Sequence, residues 1–181
     1  MRIADLTMNK RKNMETKHLR EAGIIIIGDE ILCGRRKDKH LEHVTGFFGT
    51  IGVELKWAYY LGDDRSILAD HFRRISNSED VCFSFGGIGA TPDDRTRHAV
   101  ADAQGVQLVR HPEAVRLLED KFGTDAYPNR IKMAELPEGA SLIPNEYNKI
   151  PGFSIGDIHC LPGFPEMAWQ MMDWVVQEIY E

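Results

Sequence analysis

Nowhere in the 181 residues do apolar side chains run on for the roughly 20 positions that a membrane helix needs, so the sequence predicts no membrane span. Cysteine is scarce. Cys33, Cys82 and Cys160 are odd in number, far apart and in no metal-binding spacing. That pattern speaks against a disulfide framework or a zinc site and predicts reduced thiols in a cytoplasmic protein. Positive charge is short as well. With a net charge of −6 and a pI of about 5.7 the chain has no excess cation to neutralise phosphates, which argues against a nucleic-acid partner. The deficit is uneven, because residues 1–20 hold six Lys and Arg against Asp5 and Glu15, a net +4 that leaves −10 on the rest. This segment lacks the apolar stretch of a signal peptide and keeps no hydrophobic period, so it reads as a basic, flexible extension.

What remains, residues 21–181, suits one globular domain long enough to bury a core, with 43% of all residues hydrophobic and 28% charged. Ala22 to Ile27 is a continuous β-branched run, as expected of a strand buried on both faces. A helix should follow with Leu41, Val44, Phe48 and Ile51 inward, then a second strand from Val53 to Leu61. Asp63 or Asp64 can cap the next helix, whose inward face reads Ile67, Leu68, Phe72 and Ile75. Val81–Phe85 is a third short buried strand, followed by a helix to about Gln104, a brief strand at Val106–Val109, and a helix that Pro112 opens and Gly123 stops. Residues 124–152 hold four prolines and little periodicity, so they read as an irregular excursion. A hairpin around Gly156 and Asp157 completes a small β region of about 124–160, and a last helix buries Ala168, Met171, Met172, Val175 and Ile179. Strands alternating with helices imply an α/β fold with a mostly parallel sheet covered on both faces, where ligands bind beyond the carboxyl ends of the strands.

Three loops that leave strand ends collect nearly all the unusual residues: 28–38, 86–94 and 162–166. Gly86, Gly87 and Gly89 permit positive φ and let amide N–H groups meet an anion. The motif is not a dinucleotide fingerprint, because Pro92 stands where a third glycine is needed, and no Gly-Lys-Ser/Thr follows to make a P-loop. Thr91-Pro92-Asp93-Asp94 can open a helix as a capping box. One carboxylate would suffice for that, and Asp29, Glu30 and Asp38 in a neighbouring loop leave a Mg²⁺ site as the alternative. Pro162, Gly163 and Pro165 either punctuate a loop or aim a second helix N-terminus at phosphate. His40 and His43, three apart and near Asp38, read as surface histidines or metal ligands, and Arg95, Arg97 and His98 as solvated charges or phosphate contacts.

These loops make the chain resemble the MoaB/Mog superfamily, and specifically its stand-alone CinA-type members. The resemblance rests on Gly28-Asp-Glu-Ile-Leu-Cys-Gly34 with Asp38, on Gly86-Gly-Ile-Gly-Ala-Thr-Pro-Asp-Asp94 with Thr96, and on Pro151-Gly-Phe followed by Leu161-Pro-Gly-Phe-Pro165, and it covers about residues 22–180. It implies a three-layer α/β/α sandwich with a small β subdomain, a homo-oligomer (trimer or dimer), and a small-molecule partner, a phosphorylated pterin or nucleotide, bound with Mg²⁺. It further implies that Asp38, Asp93 and Asp94 hold the metal and serve the reacting phosphate. Gly28, Asp29, Glu30, Gly86, Gly87, Gly89, Thr91, Thr96, Pro162, Gly163 and Pro165 would then bind the ligand. Three places depart from the family pattern. Lys39-His40 follows Asp38 in place of Thr or Ser then Asn, Gly89-Ala90-Thr91 replaces Gly-Pro-Thr, and Asn148-Lys149-Ile150 precedes Pro151.

Three functions are compatible with such loops. The first is a Mg²⁺-dependent nucleotide pyrophosphatase of ADP-ribose or FAD type, because metal and backbone N–H groups stabilise a phosphoanhydride's charge. The second is a module that binds a pterin or nucleotide without turnover, linked to molybdenum cofactor biosynthesis. The third is a scaffold that keeps the loops only as structure. An oligomer is also expected from Phe47, Phe48, Trp169 and Trp174, which offer more apolar surface than one core-facing stripe needs.

Overall fold

The run Ala22–Ile27 offers no side chain that tolerates water, and in the computed structural model, which describes residues 17–180, it becomes strand β1 (Glu21–Ile27). Of the basic extension expected over residues 1–20, all but the last four positions lie outside the described residues. Strand β1 pairs in parallel with β2 (Glu54–Leu61) on one side and β3 (Cys82–Phe85) on the other. The sheet has six strands in the order β2-β1-β3-β8-β7-β6, with β8 (Ile158–Leu161) parallel to β3. The outer two strands, β7 (Gly152–Ile155) and β6 (Ser141–Ile143), turn antiparallel. The hairpin expected at Gly156–Asp157 joins β7 to β8. Two further strands, β4 (Leu108–Arg110) and β5 (Glu135–Pro137), form a separate antiparallel ribbon. The small β element is therefore narrower than the whole 124–160 excursion, whose remaining strands extend the main sheet.

Alternate residues of β1 face opposite ways, which splits the core in two. Ile24 and Ile26 pack under α2 (His40–Ile51) and α6 (Pro165–Ile179), through Val44, Phe48, Met171, Met172 and Val175. On the other face Ile25 and Ile27 meet α3 (Arg65–Ser76), α4 (Thr96–Gln104) and α5 (Pro112–Phe122), through Leu68, Phe72, Val100 and Leu118. A four-residue helix, α1 (Asp29–Leu32), interrupts the loop after β1. The result is a three-layer α/β/α sandwich. Among the described residues no helix is long and apolar enough to cross a membrane.

Helix starts follow local chemistry. The Asp64 carboxylate accepts from the N–H of Ser66 at 2.9 Å and of Ile67 at 3.0 Å, capping α3. On that helix Ile67 stays 49% exposed and Ala69 is buried in its stead, because Leu68, Phe72 and Ile75 already define the inward stripe. The four aromatics expected on the surface do not form a patch there. Phe48 is 1% exposed, and Phe47, Trp169 and Trp174 pack half-buried against the same core.

All four parallel strands end on one edge: Ile27 lies beside Leu61, Ile26 beside Phe85, and Phe85 beside Leu161. The loops after β1, β2, β3 and β8 therefore rise side by side.

Behind the opposite end, His159 is wholly buried between Ser154 Oγ and Tyr180 Oη, each 2.7 Å from a ring nitrogen. Tyr180 Oη in turn lies 2.9 Å from Asp157 Oδ1. With Tyr180 donating to the carboxylate, His159 donates to Tyr180 and accepts from Ser154, and the chain is satisfied with a neutral ring. Burial pushes the imidazole down to about 4. The unfolded ring titrates near 6.5, so the unfolded chain binds the extra proton first. Stability should be fully present above pH 6.5 and fall by about 3 kcal/mol as the pH drops towards 4. Urea unfolding of wild type and His159→Gln at pH 7 and 4.5 checks this: the variant should show the shallower loss.

Candidate functional site

The glycine loop after β3 is shaped from beneath. Gly86 and Gly87 have φ of 108° and 71°, which a side chain rarely tolerates. A Cβ on Gly86 would lie 2.5 Å from the Ile27 carbonyl oxygen, and one on Gly87 2.2 Å from Thr96 Oγ1. The hydroxyl of buried Thr96 donates to the Gly86 carbonyl at 2.9 Å, and its N–H to that of Gly87 at 3.0 Å. Arg97, only 3% exposed, donates from Nη1 to the carbonyls of Ile88 at 2.5 Å and Gly89 at 2.7 Å. Four successive carbonyls are thus held on the protein side. In a planar trans peptide the N–H points opposite the C=O, so the N–H groups of Gly87, Ile88, Gly89 and Ala90 are turned outward. Among the described residues none of the four meets a protein acceptor.

These amides line a crevice of about 590 Å³, together with Gly28, Asp29, Glu30, Asp63, Thr91, Asp93, Asp94, Pro162 and Gly163. Most of the residues expected at the site are brought together there. Thr96 is not a lining residue, because it braces the loop from below. Arg97 lies under the loop rather than in solvent or against a ligand, and its burial lowers the guanidinium pKa while Asp94 and Glu135 oppose the shift. Nor does Thr91-Pro92 open the helix. Asp94 Oδ2 accepts from the N–H of Thr91 at 2.8 Å and its hydroxyl at 2.7 Å, closing a separate turn. Helix α4 then waits until Thr96, where Thr96 and Arg97 are tied to the glycine loop.

Asp38 lies elsewhere. It lines a neighbouring crevice of about 570 Å³, with Pro165, and its carboxylate accepts from His40 N–H at 2.8 Å, Leu41 N–H at 3.2 Å and the Tyr60 hydroxyl at 2.7 Å. It caps α2, and burial, helped by this carboxylate, pushes the Tyr60 hydroxyl up to about 12. His40 stands beside it with both ring nitrogens engaged: Nε2 donates to the Gly163 carbonyl at 3.0 Å, and Nδ1 accepts from Trp169 at 3.2 Å. Burial lowers its pKa, consistent with a neutral ring. The trio Asp38, Asp93 and Asp94 is therefore not assembled. Among the described residues no three His, Cys, Asp or Glu side chains come together in a way that could hold a metal.

Several lining residues escaped the sequence reading. Asp63, weighed only as a helix cap, exchanges hydrogen bonds with Asp29: Asp29 N–H to Asp63 Oδ2 at 3.0 Å, and Asp63 N–H to Asp29 Oδ1 at 3.1 Å. Burial raises the Asp63 pKa, helped by the charges of Asp29, Glu30 and Asp93 and opposed by the Asp29 amide. Arg35 and Arg36 line both crevices, and Arg36 Nη2 donates to the Gly163 carbonyl at 2.6 Å. Two adjacent arginines inside a glycine-flanked strand-end loop were the available signal. Asn145, 4% exposed, reaches the crevice from the far wall, where its amide donates to Asn148 Oδ1 at 2.8 Å and the Ile150 carbonyl at 3.0 Å. It organises the segment that departs from the family pattern.

Removing the Thr96 hydroxyl tests the brace. Thr96→Val keeps the shape and strips a buried carbonyl of its donor, so the folded state should lose about 1–3 kcal/mol, read as a lower urea midpoint at unchanged slope.

A family model described as "Probable molybdopterin binding domain" matches residues 23–181. A CinA-like protein of Anaeromyxobacter sp. (strain Fw109-5) is 36% identical over 164 residues, which are 86% of this chain and 40% of that protein. The chain thus spans about two fifths of the length of such relatives. The crystal structure of the protein CinA, of unknown function, from Thermoplasma acidophilum superposes with a TM-score of 0.80 at 28% identity, covering 89% of this chain and 98% of that one. The molybdopterin biosynthesis enzyme MoaB of Thermus thermophilus, at 19% identity and a TM-score of 0.55 over 88% and 91% of the two chains, shares the fold alone. The chain belongs to the probable molybdopterin binding domain family, on the side of its CinA-like members.

Proposed function

We propose that the 590 Å³ crevice binds a phosphorylated pterin or nucleotide, with a phosphate seated on the N–H groups of Gly87, Ile88, Gly89 and Ala90. The observation that carries this reading is the row of four carbonyls anchored by Thr96 and Arg97. Outward amides without protein acceptors attract an anion regardless of the net charge of the chain. Arg35 and Arg36 add cationic charge at the rim.

A divalent cation caged by Asp38, Asp93 and Asp94 does not fit, since Asp38 caps a helix and Asp94 closes a turn. Mg²⁺ commonly keeps several waters and takes one or two carboxylates plus the phosphates of its ligand. Asp93 fits that smaller part: it lines the crevice and forms no hydrogen bond among the described residues. When bound, the ion would neutralise phosphate charge and polarise a phosphoryl oxygen.

Asp93 also favours a second reading, hydrolysis of a nucleotide pyrophosphate such as ADP-ribose or FAD at the same crevice. What supports this is a carboxylate beside the amide row that no hydrogen bond among the described residues engages.

Thermal shift with AMP, ADP-ribose, FAD and a pterin phosphate separates these readings from a mere scaffold. A ligand at 100 times its Kd should add about 2.7 kcal/mol of stability, with a further increment in Mg²⁺ that Asp93→Asn removes. No shift with any of the four would overturn the binding reading. For the hydrolase, AMP should be released from ADP-ribose only when divalent metal is present. That release should vanish in Asp93→Asn while the urea midpoint stays put, and full activity in the variant would exclude the role.

A further inference from the structure

The lining of the crevice is of two kinds, the amide row with Asp93, and the apolar side chains of Phe164, Met167 and Ile150. Phe164 is the odd residue among them, because it leaves 56% of its surface in water. It sits in extended conformation just before α6, and Pro165 begins that helix. The ring nonetheless has a partner. The Arg36 guanidinium carbon stands 5.2 Å from its centroid, within cation–π range. Arg36 is itself fixed by the Gly163 carbonyl at 2.6 Å and lies 3.7 Å from Glu30 Oε1. The two loops also touch, since a Cβ on Gly163 would come within 3.4 Å of Gly86 Cα. Phe164 thus stands one residue from the point where its loop meets the glycine loop. Phe164 and the amide row line the same cavity.

We propose that Phe164, held in place by Arg36, is the stacking platform for the planar heteroaromatic ring of the ligand, and that it makes the site select ring-bearing phosphates over ring-free ones. This deepens the phosphate-binding reading and rests on it. Pterins and purines both present flat π faces, and stacking tolerates either, so the platform fixes the class of ligand rather than one member of it. The Arg36 guanidinium supports that geometry as a cation–π partner.

Calorimetric titration of wild type, Phe164→Ala and Phe164→Trp with AMP, dihydroneopterin triphosphate and ribose 5-phosphate tests the platform. The alanine variant should bind AMP or the pterin roughly 5- to 100-fold more weakly and ribose 5-phosphate as wild type does. The tryptophan variant should keep ring-ligand affinity and show fluorescence quenching beyond that of wild type. Equal weakening for ribose 5-phosphate, or no weakening for either ring-bearing ligand, overturns the platform and leaves the phosphate reading standing. If wild type binds none of the three, the phosphate reading falls and takes the platform with it. Because Phe164 is exposed, the ligand-free melting temperature of Phe164→Ala should match wild type, which separates lost stacking from lost fold.

Discussion

A single buried guanidinium sets the character of the candidate site. Arg97 is almost wholly enclosed, and a charge so placed is tolerable only where oxygen atoms surround it. The oxygens it takes are the Ile88 and Gly89 carbonyls, and Thr96 beside it takes those of Gly86 and Gly87. The consequences run outward from there. Carbonyls drawn in turn amides out, the delayed start of α4 frees Asp93 and Asp94 from helix-opening duty, and the glycines are required because Thr96 and Ile27 leave no room for a Cβ. The guanidinium acts from beneath, without touching what the amides would bind.

What was readable in the chain was what depends on neighbours in sequence. The β-branched run of β1, the Gly156–Asp157 hairpin, and the Pro112 and Gly123 limits of α5 are local patterns, and they appear where expected. The gathering of the three glycine-rich loops also followed, because parallel strands put their carboxyl ends on one edge. Partnerships across distance were illegible. Nothing near Asp38 announces Tyr60, and nothing near Asp63 announces that its partner is Asp29. Arg97 reads as a helix surface charge because helical periodicity cannot show that the preceding loop folds over it. The supposed aromatic patch failed for a related reason: α2 and α6 lie side by side, so faces that look surplus on each helix alone cover one another's flanks, as His43 stacked on Trp169 at 3.8 Å illustrates.

The acidic residues carry a broader lesson about competition for a carboxylate. Five acids near strand ends suggested a metal centre, yet backbone N–H groups claim three of them. Asp38 takes two amides and a phenol, Asp94 an amide and a hydroxyl, and Asp29 one amide, as does Asp63 beside it. Each such bond uses a lone pair that a cation would otherwise coordinate. Asp93 stands apart because its neighbours have already satisfied the turn.

The amide row also gives the departure at position 90 a meaning that no side-chain comparison would reveal. The family pattern that the loop resembles has proline after the third glycine, and this chain carries Ala90. Proline has no N–H, so a row built on it would present three donors, whereas here the carbonyl of Gly89 is turned under by Arg97 and Ala90 supplies a fourth. The exchange alters the valence of the cradle rather than its shape. It enlarges the array of fixed dipoles by one at the end of the loop nearest Asp93 in sequence.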